Sequence, residues 1–321
     1  GPLGAKGFAF LNMLQLIGWT SIMIYDAMLA LQELAPLSPM IWTIAIGALV
    51  ILWLFIGLHN TGYIQAIVSV LLLGLTLYMG AHMISQWPSE GSLLTSGNMS
   101  FIAALELSIA MPLSWLPLIS DYTRESKNPF SASLTSATVY TITSIVMYTL
   151  GLSAAIFGGG DSIITIMMNA GLGLAGLIVI IFSTVTTTFM DAYSAGVSST
   201  TIYNSASSKG VAVIVTMVGT IAAILYPMDD ITDFLYLIGS VFAPMIAILL
   251  ADYFINRQQV QALSAYLVRG LIWAVSVGLY HYMLHSESTI GATLPAFTMA
   301  FVVTAIVGFI SKTAHISTEI K

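Results

Sequence analysis

Long apolar stretches, separated by short polar or Gly/Pro breaks, run through the whole chain. Ten of them approach or exceed the roughly 20 residues that a helix needs to cross a bilayer core. They cover residues 7–31, 39–58, 62–85, 101–121, 132–157, 171–195, 209–226, 231–255, 263–284 and 290–311. Because these stretches are continuously apolar rather than alternating, they predict helices and not the strands of a membrane β-barrel. The pattern predicts an all-α integral membrane protein with a single domain over residues 1–321.

Two further expectations concern the segments outside these spans. The segment 162–170 is too short to span and is predicted to lie as a surface or re-entrant helix. The first residue is not Met, and an apolar run already includes Phe8, so we expect the chain to be truncated at its N-terminus.

The composition excludes several classes of protein. Of the 321 residues, 58% are hydrophobic and 7% are charged, whereas a soluble domain carries about 25% charged residues. So few charges cannot cover a water-facing surface, which excludes a soluble enzyme, a nucleic-acid-binding protein and a disordered chain. The sequence contains no cysteine, so it offers no thiolate ligand or nucleophile. We expect no cofactor and no catalytic residues.

The basic residues predict the orientation in the membrane, because Lys and Arg sit mainly on the cytoplasmic side. Ten alternating crossings put all eight of them on one side: Lys6, Arg124, Lys127, Lys209, Arg257, Arg269, Lys312 and Lys321. On the other side the charged residues are all acidic, namely Glu33, Glu90, Asp161, Asp229, Asp230, Asp233 and Glu287. The pattern predicts a multi-pass protein of the cytoplasmic membrane with both termini of this chain in the cytoplasm.

Three carboxylates remain inside predicted spans once those at span ends and in loops are set aside: Asp26, Glu106 and Asp191. An Asp at the centre of a membrane helix costs about 2.5–3.5 kcal/mol on insertion scales. Each one could be a polar contact between helices. Three in one small protein favour a shared cavity that holds a cation or a polar substrate.

Asp26 shares a face of the first span with Trp19 and Met23, since these residues stand at i, i+4 and i+7. Gln15 extends the same stripe by one turn. An indole beside a hydrogen-bond acceptor suits a flat, nitrogen-rich ring, which it can stack while the acceptor binds an edge. The alternative is a Trp that only packs or faces lipid.

The fourth span is predicted to be interrupted after Glu106, in the stretch Met111-Pro112-Leu113-Ser114-Trp115-Leu116-Pro117. Each proline removes a backbone donor, and interrupted helices near the midplane bind substrates and ions in many secondary transporters. A simple proline kink is the alternative. The stretch makes Met111, Pro112 and Trp115 candidate substrate contacts.

The sixth span carries a run of hydroxyls, Ser183-Thr184-Val185-Thr186-Thr187-Thr188, followed by Asp191. Hydroxyl and carbonyl oxygens on one face suit a small cation such as Na⁺. Thr184, Thr187 and Asp191 share a helix face at i, i+3 and i+7, and Thr184, Thr188 and Asp191 do so approximately. Alternatively, such hydroxyls bond only to carbonyls one turn back.

Tyr25-Asp26 and Gly158-Gly159-Gly160-Asp161 together imitate the paired motifs of intramembrane aspartyl proteases. Such a protease needs both carboxylates within membrane helices, sharing a proton. Asp161 falls in a predicted outer loop, and the proline-alanine-leucine element of that family is absent. A channel is disfavoured as well, because no ring of charges or filter-like loop is present.

Four motifs, in this order, resemble those of the purine/cytosine permease family, also called nucleobase–cation symporters. They are QLIGWT at 15–20 continued to Asp26, WLPLISDYTR at 115–124, the stretch 186–196 ending in YSAG, and the stretch 234–254 ending in LADYF. The first is most similar to the CytX branch, which is associated with hydroxymethylpyrimidine and thiamine salvage. The resemblance covers essentially the whole chain.

The resemblance implies a LeuT-type inverted-repeat fold of twelve helices, of which this chain would hold helices 3–12. Trp19 then matches the family's ring-stacking Trp, and Asp191 stands where the family has an amide-bearing substrate contact. Thr186 and Thr187 match hydroxyls near the family's sodium site, with Ser183 and Thr184 as alternatives one turn away. Met111 and Pro112 would lie in the unwound part of helix 6.

The expected function is therefore cation-coupled import of a pyrimidine, such as hydroxymethylpyrimidine, driven by Na⁺ or H⁺. Cytosine, another nucleobase or a hydantoin are alternative substrates. A 4-aminopyrimidine presents an amine donor beside a ring-nitrogen acceptor. A protonated carboxylic acid, from Glu106 or Asp191, could match both while Trp19 stacks the ring.

Overall fold

The computed structural model describes residues 1–56, 61–85, 99–123, 126–157, 168, 171, 173–257, 262–286 and 288–319. Within these ranges the chain is helical, without a β-strand, and ten helices are long and apolar enough to cross a membrane. They are α1 (Pro2–Leu34), α2 (Pro39–Ile56), α3 (Thr61–Ser85), α4 (Phe101–Thr123), α5 (Pro129–Phe157), α6 (Gly173–Ile202), α7 (Ser208–Leu225), α8 (Ile231–Leu250), α9 (Leu263–His285) and α10 (Thr293–Glu319). A π-helix, Ala251–Asn256, continues α8.

These helices confirm the predicted all-α membrane architecture, and each corresponds to one predicted span. The largest differences are at the ends of α6 and α10, which run on to Ile202 and Glu319. Helices continue beyond the apolar stretch because backbone hydrogen bonding does not depend on hydropathy. The predicted surface helix at 162–170 lies almost wholly outside the described residues.

The interruption predicted in the fourth span is wrong, because α4 is continuous from Phe101 to Thr123 with Pro112 and Pro117 inside it. Polar side chains supply donors to carbonyls of this stretch. Ser114 Oγ donates to the carbonyl of Met111 at 2.6 Å, and Gln15 Nε2 donates to the carbonyl of Ser114 at 2.9 Å. Neighbouring side chains of this kind let a membrane helix tolerate proline without unwinding.

The chain comprises two compact units. The first consists of residues 1–15, 97–119 and 230–321. In it, α8, α9 and α10 pack against one another. Ala247, Ile272 and Ala300 form one buried cluster there, and Tyr280, Ala292 and Ala296 form another. Small residues at these contacts allow close approach of helices in a membrane, where packing replaces the hydrophobic driving force.

The second unit consists of residues 16–96 and 120–229. In it, α6 packs against α2, α3 and α7, α2 packs against α7, and α3 packs against α5. Buried residues of α1, α2 and α7 form its cluster, namely Ile24, Ala27, Leu31, Ile46 and Ala223. Leu177 and Ile181 of α6 pack against this cluster, so α1 and α6 share one core.

Gly196 of α6 marks the closest approach to α7. A Cβ on Gly196 would overlap the backbone carbonyl of Ser208, at the first residue of α7. The connection between these helices is short, and Ser207 caps α7 by accepting from the N–H of Gly210 at 3.2 Å. The end of α6 and the start of α7 therefore touch backbone to backbone.

Candidate functional site

Glu106, in α4, is buried with 5% of its surface exposed, and hydrogen bonds surround its carboxylate. Oε1 accepts from the backbone N–H groups of Ala292 and Thr293 at 3.0 and 3.1 Å. Oε2 accepts from the N–H of Thr293 at 3.0 Å and from the Thr293 hydroxyl. These N–H groups belong to the start of α10, whose first turn has no partners within its own helix. Glu106 thus caps α10 from another helix.

Gly291 makes room for this cap. It has a left-handed backbone, with φ at +77°, and a Cβ there would overlap Oε1 of Glu106. Any other L-residue would strain the backbone and displace the carboxylate. The substrate role predicted for Glu106 stays a prediction, and substrate would have to compete with the hydrogen bonds that its carboxylate already accepts.

The other candidates of the fourth span lie in the same unit as Glu106. Met111 and Trp115 are half-buried, and Pro112 is exposed. The helical period predicts Gln15 on the same face as Trp19. In the structure its amide nitrogen donates to Asn12 Oδ1 at 2.7 Å and to the Ser114 carbonyl. Gln15 therefore supports the proline-containing part of α4.

The second unit contains the stripe of α1. Trp19 and Met23 are half-buried, and Asp26 is exposed. Next to Asp26, the hydroxyl of Tyr25 donates to Asp229 Oδ2 at 3.2 Å. The predicted roles of Trp19, Met23 and Asp26 as substrate contacts stay predictions, and the structure places them in the unit that also contains Asp191.

Asp191 differs from Glu106 in its surroundings. It lies in α6 and is 9% exposed, and the described part of the chain gives its carboxyl neither a hydrogen bond nor an ion pair. Thr188 precedes it by three residues and is fully buried, and its hydroxyl has no hydrogen-bond partner among the described residues. Residues at i and i+3 are neighbours on a helix surface, so two unsatisfied polar groups adjoin.

Two of the four hydroxyls predicted to bind a cation, those of Thr186 and Thr187, donate to carbonyls of their own helix. Thr186 Oγ1 donates to the carbonyls of Phe182 at 2.8 Å and Ser183 at 3.1 Å, and Thr187 Oγ1 donates to the Ser183 carbonyl. A hydroxyl that donates keeps lone pairs for a cation. The assignment of Ser183, Thr184, Thr186 and Thr187 to a cation therefore stays a prediction.

One polar network was not predicted. At the π-helix, Arg269 binds Asp252 through two hydrogen bonds, Nε to Oδ2 at 2.6 Å and Nη2 to Oδ1 at 2.8 Å. Asn256 Nδ2 donates to Asp252 Oδ1 at 2.8 Å and to the Thr304 carbonyl at 3.1 Å. The sequence signal was available, because Asp and Asn at i and i+4 stand in and just after the LADYF motif, with an Arg on the next helix.

Other predicted features lie outside the described residues. Asp161 and Gly158–Gly160, which imitate a protease motif, are among them. Within the described ranges, no group of three or more His, Asp or Glu residues could hold a metal ion.

Ten apolar helices, with buried polar groups inside the apolar segments, define a multi-pass membrane protein. Residues 7–320 match the family described as permeases for cytosine/purines, uracil, thiamine and allantoin. The chain belongs to this permease family. No curated protein matches the chain. The family points to a transporter of a small molecule rather than to an enzyme.

Proposed function

We propose that the chain imports a 4-aminopyrimidine, such as hydroxymethylpyrimidine, across the cytoplasmic membrane together with Na⁺ or H⁺. The family description covers cytosine, purines, uracil, thiamine and allantoin, which are nitrogen-containing ring compounds. Of these classes, a 4-aminopyrimidine best suits an acid that accepts from an amine and donates to the adjacent ring nitrogen.

The observation that carries this proposal is the contrast between the two buried carboxyl groups. The oxygens of Glu106 already accept four hydrogen bonds from the start of α10. The carboxyl of Asp191 accepts none in the described part of the chain. Asp191 is therefore the acid available to pair with a polar ring edge. An unsatisfied buried polar group gains the most from such a partner.

Trp19 supports the ring assignment, because it lies in the same unit as Asp191. α1 and α6 share a buried cluster in that unit. A half-buried indole on α1 offers a flat face for stacking. In the proposed site, Trp19 stacks the pyrimidine, with Met23 and Asp26 beside it. Met111, Pro112 and Trp115 of α4 are proposed as further substrate contacts during transport by alternating access.

The orientation is proposed from charge alone. The eight Lys and Arg residues face the cytoplasm, as do both termini of this chain. Ser183, Thr184, Thr186 and Thr187 are the proposed ligands if the coupling ion is Na⁺.

Uptake into proteoliposomes tests the function. The complete gene product would be reconstituted, and entry of labelled hydroxymethylpyrimidine followed under an inward Na⁺ gradient, an inward H⁺ gradient and neither. Unlabelled cytosine and uracil serve as competitors. We expect gradient-driven accumulation that resists a tenfold excess of uracil, which lacks the 4-amino group.

Two results would contradict the proposal. Absence of uptake under every gradient would exclude hydroxymethylpyrimidine as substrate, while the family assignment would stand. Equal competition by uracil would show that the 4-amino group is not recognised, and the pairing with Asp191 would then be wrong.

A further inference from the structure

The carboxyl of Asp191 is an unusual group for an apolar segment. It is 91% removed from solvent, given its exposure of 9%. It accepts no hydrogen bond and forms no ion pair in the described residues. Ionised carboxylates inside a membrane are costly unless a donor or a cation compensates the charge. Because the described residues give Asp191 neither a hydrogen-bond donor nor a positive partner, its carboxylate is suited to bind a cation from solution, such as H⁺ or Na⁺.

The helices that pack against α6 offer no described counter-ion. α2 has no Asp, Glu, Lys, Arg or His. The charged residue of α7 is Lys209, whose ammonium lies 4.4 Å from the centre of the Phe55 ring. On α3 the titratable residues are Tyr63 and Tyr78, both exposed, and His82, whose side chain is outside the described residues.

The segment of α1 in the second unit also has titratable groups. They are Tyr25, which donates to Asp229, the exposed Asp26, and Glu33. Leu177 and Ile181 of α6 pack against the buried cluster that this segment forms with residues of α2 and α7. These positions precede Asp191 by at least ten residues, or about 15 Å of helix. The titratable groups of this segment are neutral or acidic, so none of them is a positive counter-ion for Asp191.

The oxygens near Asp191 suit a proton better than a metal cation. Na⁺ in proteins is held by several oxygen ligands. Here the neighbouring unsatisfied oxygen on the same helix face is the hydroxyl of Thr188. A metal ion would need further oxygen ligands, and the nearby hydroxyls of Thr186 and Thr187 already donate to carbonyls of α6, whereas a carboxyl alone suffices to bind a proton.

We infer that Asp191 carries the coupling proton, and that only its protonated form binds substrate. This inference rests on the proposed function. The carboxylate takes a proton from the outer medium and becomes a carboxylic acid. Its O–H then donates to the ring nitrogen, and its C=O accepts from the 4-amino group. After the site opens inward and substrate leaves, the proton passes to the cytoplasm.

The decisive variant is Asp191→Asn, because an amide reproduces the hydrogen bonds of the protonated acid. Its Oδ1 accepts and its Nδ2 donates, yet it cannot bind or release a proton. Asp191→Leu removes both bonds. Asp233→Asn is the matched control, since Asp233 is an exposed acidic residue in the first turn of α8.

Two transport assays with labelled hydroxymethylpyrimidine distinguish proton coupling from substrate binding. One measures exchange of internal for external substrate, and the other measures accumulation driven by a pH gradient. For D191N we expect exchange between internal and external substrate at no less than about a third of the wild-type rate. Accumulation driven by a pH gradient should fall at least tenfold. D191L should lose both modes, and D233N should retain both. Thermal unfolding of each purified variant verifies that it is folded.

Equilibrium binding adds a second measurement. Since substrate binds the protonated acid, wild-type affinity should fall as pH rises, by up to about tenfold per pH unit once the free carboxyl is ionised. The affinity of D191N should not vary with pH.

Each result has a definite meaning. Undiminished accumulation by D191N under a pH gradient would overturn the inference, as would a wild-type affinity that does not fall with pH. Accumulation by the wild type under a Na⁺ gradient alone would also overturn it, leaving the proposed function intact. Failure of the wild type to bind or exchange the pyrimidine would instead overturn the proposed function.

Discussion

The indole of Trp19 is half-buried in α1, on the helix face that also carries Met23 and Asp26. If this ring stacks substrate, its flat aromatic surface matters more than its N–H. Trp19→Phe should raise the half-saturating substrate concentration less than fivefold. Trp19→Ala should raise it at least tenfold, which corresponds to about 1.4 kcal/mol of lost stacking.

Concentration-dependent uptake of the labelled pyrimidine measures this effect, and the melting temperature serves as the control for folding. Equal losses in W19F and W19A would mean that the N–H is essential and that stacking is not the basis of recognition.

The ion pair between Asp252 and Arg269 permits a second prediction at the scale of single residues. Both side chains are mostly buried, with 14% of Arg269 and 17% of Asp252 exposed. Asp252→Asn leaves the guanidinium without its charged partner, so we expect a loss of about 3 kcal/mol in stability. Arg269→Gln added to D252N should recover part of that loss.

Thermal unfolding in detergent of the wild type, both single variants and the double variant gives the coupling energy. If the double variant is less stable than the wild type by the sum of the two single losses, the two residues do not act as a pair.

The relative positions of side chains could be predicted from the sequence only where the residues are close along the chain. The helix stripe of Trp19, Met23 and Asp26 follows from the 3.6-residue period. The cap formed by Glu106 could not be foreseen, because its partners are 186 and 187 residues away. The sequence around a buried acid does not show whether backbone N–H groups will surround it. Hydropathy therefore could not predict that, among the described residues, Glu106 accepts hydrogen bonds and Asp191 does not.

At the scale of helices, the contact between α6 and α7 leaves no room for added volume at Gly196. A Cβ on Gly196 would meet backbone atoms of Ser208, which cannot rotate away. Gly196→Ala should therefore destabilise the protein by about 1–3 kcal/mol, the usual cost of overpacking. Gly74, in α3, has nothing within 4 Å of its added Cβ, so Gly74→Ala is the matched control.

We expect G74A to be neutral or to gain up to about 1 kcal/mol from better helix propensity. Melting temperatures of the two variants provide the comparison. A G196A protein as stable as G74A would show that the two helices can separate at no cost.

The anchoring of α10 to α4 can be examined in the same way. Gly291→Ala adds a Cβ where Glu106 lies, on a backbone with φ at +77°. Gly171 has a similar φ of +75°, and no atom of the described residues lies within 4 Å of its added Cβ, so Gly171→Ala measures the cost of backbone strain. Both should lose about 1–2 kcal/mol through strain, and G291A should lose more because it displaces the carboxylate.

The excess loss in G291A should disappear when Glu106 is already replaced by Ala. Unfolding measurements on G291A, E106A and the double variant check this. Additive losses would mean that Gly291 and Glu106 act independently.

Helices as elements were well predicted from hydropathy, and their interactions were not. Each of the ten spans appears as a helix, because in lipid the backbone must satisfy its own hydrogen bonds. The continuity of α4 through Pro112 and Pro117 was not predicted, although Gln15 and Ser114 donate to carbonyls within this stretch. Proline content alone does not reveal whether such donors are present.

The topology of the whole molecule is open to a direct test, because the chain contains no cysteine. Single cysteines can therefore be introduced without removing native ones. Ser205, in the exposed connection after α6, is expected in the cytoplasm together with Lys209, and Pro227, after α7, is expected outside. A membrane-impermeant maleimide applied to intact cells should label P227C and not S205C.

Opening the cells should make S205C reactive, which provides the internal control. Labelling of S205C in intact cells, with protection of P227C, would reverse the proposed orientation.

The π-helix that ends α8 makes this part of the chain sensitive to length as well as to composition. Its closing hydrogen bond runs from the N–H of Arg257 to the carbonyl of Asp252, five residues back, at 2.8 Å. Deleting one codon between these residues would let the turn close as an α-helix and rotate the residues after the deletion by about 100°. Asn256 would then turn away from Thr304 and Asp252. Substitutions at the exposed Tyr253 or Phe254 should thus be tolerated where an in-frame deletion of either residue is not.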